Sequence, residues 1–217
     1  MKQIKAIIFD MGGVLMDLDI EDCKAAFKSM LGYDAIDELI DPCHQKGIWG
    51  DLEEGTLPVE DFRAQVLEGS RPGSSEDLVD KAMWHILAGV SPYKGELLNR
   101  LAESYDLYLL SNNNPICMPR SCQLFEEVGA PIEKVFKKSF LSYEMKALKP
   151  SEAFYKSVVE QIGLPSENMI FIDDSQKNVE GAEAAGLPAV FYQPGSDLSQ
   201  LIADILGRDE FKMEGVC

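Results

Sequence analysis

The chain has 217 residues, a length that suits one medium domain or one domain with a small insert. Hydrophobic residues make up 46% of it, enough for a sizeable core, and nothing is low-complexity or repeated. A formal net charge of −17 and a pI near 4.4 argue against general binding of nucleic acid or acidic membrane. They leave room for a small phosphorylated substrate wherever a metal ion and a lysine reverse the local potential.

The start, Met1-Lys2-Gln3-Ile4-Lys5, does not read as a signal peptide, because the apolar run that follows is too short and no cleavage site follows it. No segment is long enough for a membrane span. The five cysteines, Cys23, Cys43, Cys117, Cys122 and Cys217, are scattered without a CxxC pair. Neither a disulfide framework nor a zinc site is expected, and a reducing cytoplasm is the simplest setting. The oligomeric state is left open.

Lys5 to Leu15 opens with a β-branched apolar run, read as a strand buried on both faces, and ends in Asp10 followed by Met11-Gly12-Gly13. Ile20 to Leu31 has helical spacing and stops at Gly32. Ala35 to about His44 is a second helix, and Gly47 to Gly55 is a glycine-punctuated loop around Trp49. Pro58 to Leu67 is a third helix, and Ser74-Ser75 caps a fourth that runs to Leu87. Asp17 to Gly89 thus contains no convincing strand and reads as a helical insert. His44 and His85, both within it, read as surface or packing residues.

Ser91-Pro92 then opens a helix through Leu101. Asp106 to Leu110 is a strand ending in Ser111-Asn112-Asn113-Asn114. A helix covers Cys122 to Val128, and Val135 to Ser142 is ambiguous, with a short strand as one reading. Lys149-Pro150 precedes a helix from Ser151 to Ile162, with Pro150 in its first turn. Asn168 to Ile172 is a buried strand ending in Asp173-Asp174, and Asp174 or Ser175 caps the helix that stops at Gly186. Ala189 to Tyr192 is a last strand and Leu198 to Leu206 a last helix. The alternation predicts an α/β fold: a Rossmann-like parallel sheet with helices on both faces and a small helical cap inserted after the first strand. The expected division is 1–16 and 90–217 for the core and 17–89 for the insert.

In such a sheet the strand ends open onto one edge, so Asp10, Ser111-Asn112 and Asp173-Asp174 converge. Three carboxylates together repel one another unless a cation sits among them, and oxygen donors suit Mg²⁺ better than zinc. A serine hydroxyl, an asparagine and a lysine beside a metal make a site for phosphate oxygens. Taken singly, each has a plainer reading: a polar turn at Ser111 to Asn114, a solvated Lys149, a helix cap at Asp173-Asp174.

Phe9-Asp10-Met11-Gly12-Gly13-Val14-Leu15, Leu110-Ser111-Asn112, Lys149-Pro150 and Phe171-Ile172-Asp173-Asp174-Ser175 resemble, in order and spacing, the four motifs of the haloacid dehalogenase-like (HAD) hydrolase superfamily. The insert sits where that family's C1-type cap sits, and the first and last motifs look closest to the branch of sugar-phosphate phosphatases such as glucose-1-phosphate phosphatase. The resemblance implies a Mg²⁺-dependent phosphomonoester hydrolase acting on a small phosphorylated metabolite. Asp10 would be the nucleophile and form an aspartyl-phosphate. Asp10, the carbonyl of Gly12 and Asp174 would hold Mg²⁺, with Asp173 supporting them. Ser111, Asn112 and Lys149 would bind the phosphoryl group, and Lys149 would also serve catalysis by neutralising charge. Trp49 is a candidate substrate contact, against the alternative of a packing residue within the cap.

One position departs from the family pattern. Most of its phosphatases carry a second Asp two residues after the nucleophile, where this chain has Gly12. That leaves a substrate with a good leaving group, an acid supplied by the cap or by Asp17 or Asp19, or a member that binds phosphate compounds without turning them over. A 2-haloacid dehalogenase, which needs neither that acid nor a metal, is the remaining alternative.

Overall fold

The computed structural model describes residues 3–40 and 47–213. The chain begins with β1 (Ala6–Phe9) and β2 (Met16–Leu18). The insert follows with α1 (Ile20–Ala26), which runs on into a π-helical turn at Phe27–Leu31, then α2 (Ile36–Leu39), α3 (Gly47–Glu54), α4 (Val59–Glu68) and α5 (Glu76–Trp84). The α/β alternation resumes with β3 (Leu87–Val90), α6 (Pro92–Ala102), β4 (Asp106–Ser111), α7 (Cys117–Glu127), α8 (Ile132–Val135), β5 (Lys138–Leu141) and α9 (Ser142–Met145). It closes with α10 (Glu152–Ile162), β6 (Met169–Asp173), α11 (Gln176–Ala184), β7 (Ala189–Phe191) and α12 (Leu198–Leu206).

Five strands form one parallel sheet in the order β5-β4-β1-β6-β7. Every side chain of β1 is fully buried, and alternate residues enter opposite layers as the pleat requires. Ile7 and Phe9 join Leu107, Leu109, Ile170 and Ile172 in a core covered by α6, α7, α8 and α12. Ala6 and Ile8 join Tyr108, Leu110 and Phe171 against α10 and α11. The apolar run is therefore continuous because both faces of the central strand are covered. A third cluster, with Phe27, Trp49, Leu52, Phe62 and Met83 at its centre, lies within the insert and takes in Ile116 and Cys117 from the core.

Several elements depart from the expectation. β2 and β3 pair antiparallel, with Met16 opposite Val90, so a two-stranded ribbon carries the chain into and out of the insert. Each strand is only three or four residues long, and its partner lies some 70 residues away, too little pattern for alternation to register. Gly47–Glu54 is a helix rather than a loop, because burial of Trp49 and Leu52 outweighs the low helix propensity of its glycines. The second helix ends before Ile40, which is extended, and its expected continuation to His44 falls outside the described residues. α7 starts at Cys117, ahead of the expected Cys122, because Asn114 Oδ1 accepts the N–H groups of Ile116 (3.1 Å) and Cys117 (2.9 Å). The ambiguous stretch resolves into α8, β5 and α9. Pro150 precedes α10 instead of lying in its first turn, after a cis Lys149–Pro150 bond.

Cys23, Cys117 and Cys122 are free thiols, while Cys43 and Cys217 lie outside the described residues, as does His44. His85 is exposed and its Nδ1 lies 2.8 Å from Asp22 Oδ2. Among the described residues no helix is long and apolar enough to cross a membrane.

Candidate active site

Because β1, β4 and β6 run parallel and in register, their carboxyl ends deliver Asp10, Ser111 and Asp173 to one edge of the sheet. Lys149, from the loop before α10, completes the cluster. Its Nζ lies 2.8 Å from Asp10 Oδ1 and 2.7 Å from Asp173 Oδ2, and all three residues are buried. The ammonium also sits 5.5 Å from the centre of the Phe171 ring. Burial works against its charge, but Asp10 and Asp173 outweigh that and hold Lys149 above the usual lysine range.

The two carboxylates beside the lysine are used differently. Asp173 is saturated: Oδ1 accepts the N–H of Ser175 at 2.8 Å and the Asn178 amide at 3.0 Å, and Oδ2 accepts Lys149. Ser175, one of the two expected caps, holds the N-cap position of α11 without a side-chain capping bond, and Asp173 takes up its N–H. Asp10 Oδ1 accepts the Met11 N–H at 2.7 Å as well as Lys149, while Oδ2 stays outside these bonds. The Asp174 carboxylate also stays outside them, close against Gly13: a Cβ there would come 2.0 Å from Asp174 Oδ2. Gly13 has φ +75, so the tight turn and the close carboxylate both require glycine.

Asp10, Asp173 and Asp174 each offer an oxygen within 4.8 Å of the others. Burial first, then the neighbouring carboxylates, push Asp10 up, and the same causes push Asp174 up to about 6. Crowded acids with unengaged oxygens and no sulfur or imidazole among them suit a hard divalent cation. The donor set fits Mg²⁺, with Asp10 Oδ2 and Asp174 as the available protein oxygens.

The structure redirects two sequence expectations. The Asn112 side chain is engaged with the backbone of Lys149, accepting its N–H at 2.9 Å and donating to its carbonyl at 3.2 Å. It fixes the lysine in place. Trp49 is wholly buried, packed on Phe27 and Phe62; it forms part of the wall of the cavity beside Ser111 and donates from Nε1 to Glu53 Oε1 at 2.9 Å. Ser111 is also buried, and its hydroxyl donates weakly to the Asn112 carbonyl at 3.3 Å. It lines a cavity of about 70 Å³ together with Met11, Gly12, Glu53, Asn112 and Asn113.

Three contributors escaped the sequence reading. Asn178 braces Asp173 from one turn into α11, a helical spacing that could have suggested it. Ser142 donates to the Glu53 carbonyl at 2.6 Å and accepts the Asn113 N–H at 3.0 Å, so it joins α3 to the loop after β4. Glu53 itself lay in a stretch read as loop, with no motif to mark it.

Fold and site together define a parallel α/β protein with an acid–lysine cluster at its carboxyl edge and a helical insert against that edge. The profile of the haloacid dehalogenase-like hydrolases matches residues 4–186, and the chain belongs to that family. It is 30% identical, over 94% of its length and 98% of the relative's, to a D-ribitol-5-phosphate phosphatase of Bacteroides thetaiotaomicron. A solved HAD-family enzyme from the same organism, an aspartate-to-alanine variant in complex with magnesium and inorganic phosphate, is 34% identical. That match covers 92% of this chain and 98% of the other, with a TM-score of 0.86. An L-2-haloacid dehalogenase of Xanthobacter autotrophicus, 20% identical over 94% of this chain and 83% of its own, shares the fold with a TM-score of 0.61.

Proposed function

We propose that this protein is a Mg²⁺-dependent phosphomonoester hydrolase acting on a small sugar or polyol phosphate through an aspartyl-phosphate on Asp10. The observation that carries the reading is the ammonium of Lys149 held between Asp10 and Asp173, beside a third carboxylate that offers an oxygen within 4.8 Å of the other two. A buried carboxylate nucleophile attacking a dianion needs positive charge at the point of attack. Lys149 supplies part of it, and a Mg²⁺ held by Asp10, the Gly12 carbonyl and Asp174 would supply the rest by drawing charge from the phosphoryl oxygens. Asp173 and Asn112 fix Lys149 from side chain and backbone, and Ser111 Oγ would hydrogen-bond the phosphoryl group. Residues 17–89 act as the cap that covers this edge and excludes water. The relative named for D-ribitol-5-phosphate and the magnesium and phosphate complexes of the Bacteroides enzyme support this reading over a dehalogenase. Free buried thiols fit a reducing, cytoplasmic setting.

Inorganic phosphate release from a panel of sugar and polyol phosphates, each with Mg²⁺ and with chelator, tests the proposal. Turnover should require the metal and should disappear in Asp10→Asn. Release that survives either change removes the mechanism, and release from no ester removes the hydrolase.

A further inference from the structure

The position that usually supplies the acid in this family is Gly12, and both nearby acids in the sequence are engaged elsewhere. Asp17 is paired with Lys94 at 3.1 Å, and Asp19 caps α1 by accepting the Asp22 N–H at 2.8 Å. The geometry points to Glu53, carried into the site by α3 of the insert, as the general acid and base of the phosphatase reaction. This rests on the hydrolase reading above.

Glu53 is 7% exposed and lines the same cavity as Gly12 and Ser111. Trp49 Nε1 fixes its Oε1 at 2.9 Å. Oε2 is outside that bond, in a side chain that forms part of the cavity wall. The Ser142 hydroxyl holds the Glu53 backbone to the core at 2.6 Å, which fixes the carboxyl relative to the strand ends. Burial raises its pKa to about 7, against the opposing effects of the Trp49 hydrogen bond and the Lys149 charge, so the proton is held near neutrality.

The step balances. The Asp10 carboxylate attacks phosphorus, the bond from phosphorus to the ester oxygen breaks, and the Glu53 proton passes to that oxygen to release the alcohol. The resulting Glu53 carboxylate then takes a proton from water, whose oxygen attacks the aspartyl-phosphate. Inorganic phosphate leaves, and Asp10 and Glu53 return to their starting states.

An acid matters most when the leaving group is poor, so the test compares two esters under Mg²⁺. The kcat/KM of wild type and Glu53→Gln is measured on D-ribitol-5-phosphate, a primary alkyl ester, and on para-nitrophenyl phosphate, whose phenolate leaves without help. The variant should lose about 10²–10⁴-fold on the alkyl ester and less than about tenfold on the aryl ester. The ratio of the two values cancels any loss of folded protein, and Glu53→Asp, which keeps an acid, should restore part of it. An unchanged ratio in both variants, with the wild type active on both esters, overturns Glu53 and leaves the hydrolase intact. No phosphate release by wild type from either ester overturns the hydrolase reading and Glu53 with it.

Discussion

A carboxyl buried like Glu53 is a liability to the fold whenever it ionises. Its folded pKa of about 7 lies above the ordinary 4.5, so the folded state binds the proton more tightly than the unfolded state. Stability must therefore fall as pH rises between those two values, by up to about 3 kcal/mol for a fully buried group. Glu53→Gln removes the titration while keeping an acceptor for Trp49. Its melting temperature should gain on wild type between pH 5 and pH 8 and match it most closely at the acid end. Parallel curves across that range would show that the carboxyl is not held protonated. Lys149 poses the opposite problem, because its burial is compensated by two carboxylates and by the backbone bonds from Asn112.

The element that most constrains the site is the turn after β1. Gly13 places its backbone where a Cβ would collide with the Asp174 carboxylate, so β1 and the start of α11 meet through a missing side chain. Gly13→Ala should push Asp174 away and weaken Mg²⁺ binding at least about tenfold by calorimetry, a loss of the kind seen when supports of metal ligands are removed. An affinity equal to wild type would take Asp174 out of the metal site. The same turn explains why so much of this edge was readable in the sequence. β1, β4 and β6 are apolar runs that stop at a polar residue, and a parallel sheet brings such stops together, which is why Asp10, Ser111 and Asp173 could be grouped before any coordinates. α3 was not readable, because Gly47 and Gly50 suppress the helical signal and the burial that overrides them belongs to tertiary packing. Glu53 was hidden with it. Asn112 could be located but not understood, since its partner is the backbone of a residue 37 positions away.

For the whole molecule, the acid cluster sits in a chain already carrying a charge of −17. A divalent cation should therefore act on global stability as well as on activity. Ligand binding at 100 times Kd contributes about 2.7 kcal/mol, which a thermal melt reads directly. Protons compete for the same oxygens, with Asp10 pushed up to about 8 and Asp174 to about 6. The Mg²⁺-induced rise in melting temperature should be largest above pH 8 and shrink as pH falls from 8 through 6. A shift independent of pH would place the cation elsewhere on this acidic surface.

The hydroxyl of Ser142 touches the insert at the carbonyl of Glu53 and the core at the N–H of Asn113. If Glu53 is the acid proposed above, a motion that lifts α3 to admit or release a substrate breaks that contact and carries the proton donor away with it. On that mechanism entry and reactivity would be mutually exclusive states of one small contact, and the site would be armed only while it is shut. A phosphorylated Asp10 exposed to bulk water during opening would face that water without its base, so the ordering of events is written into where one serine stands.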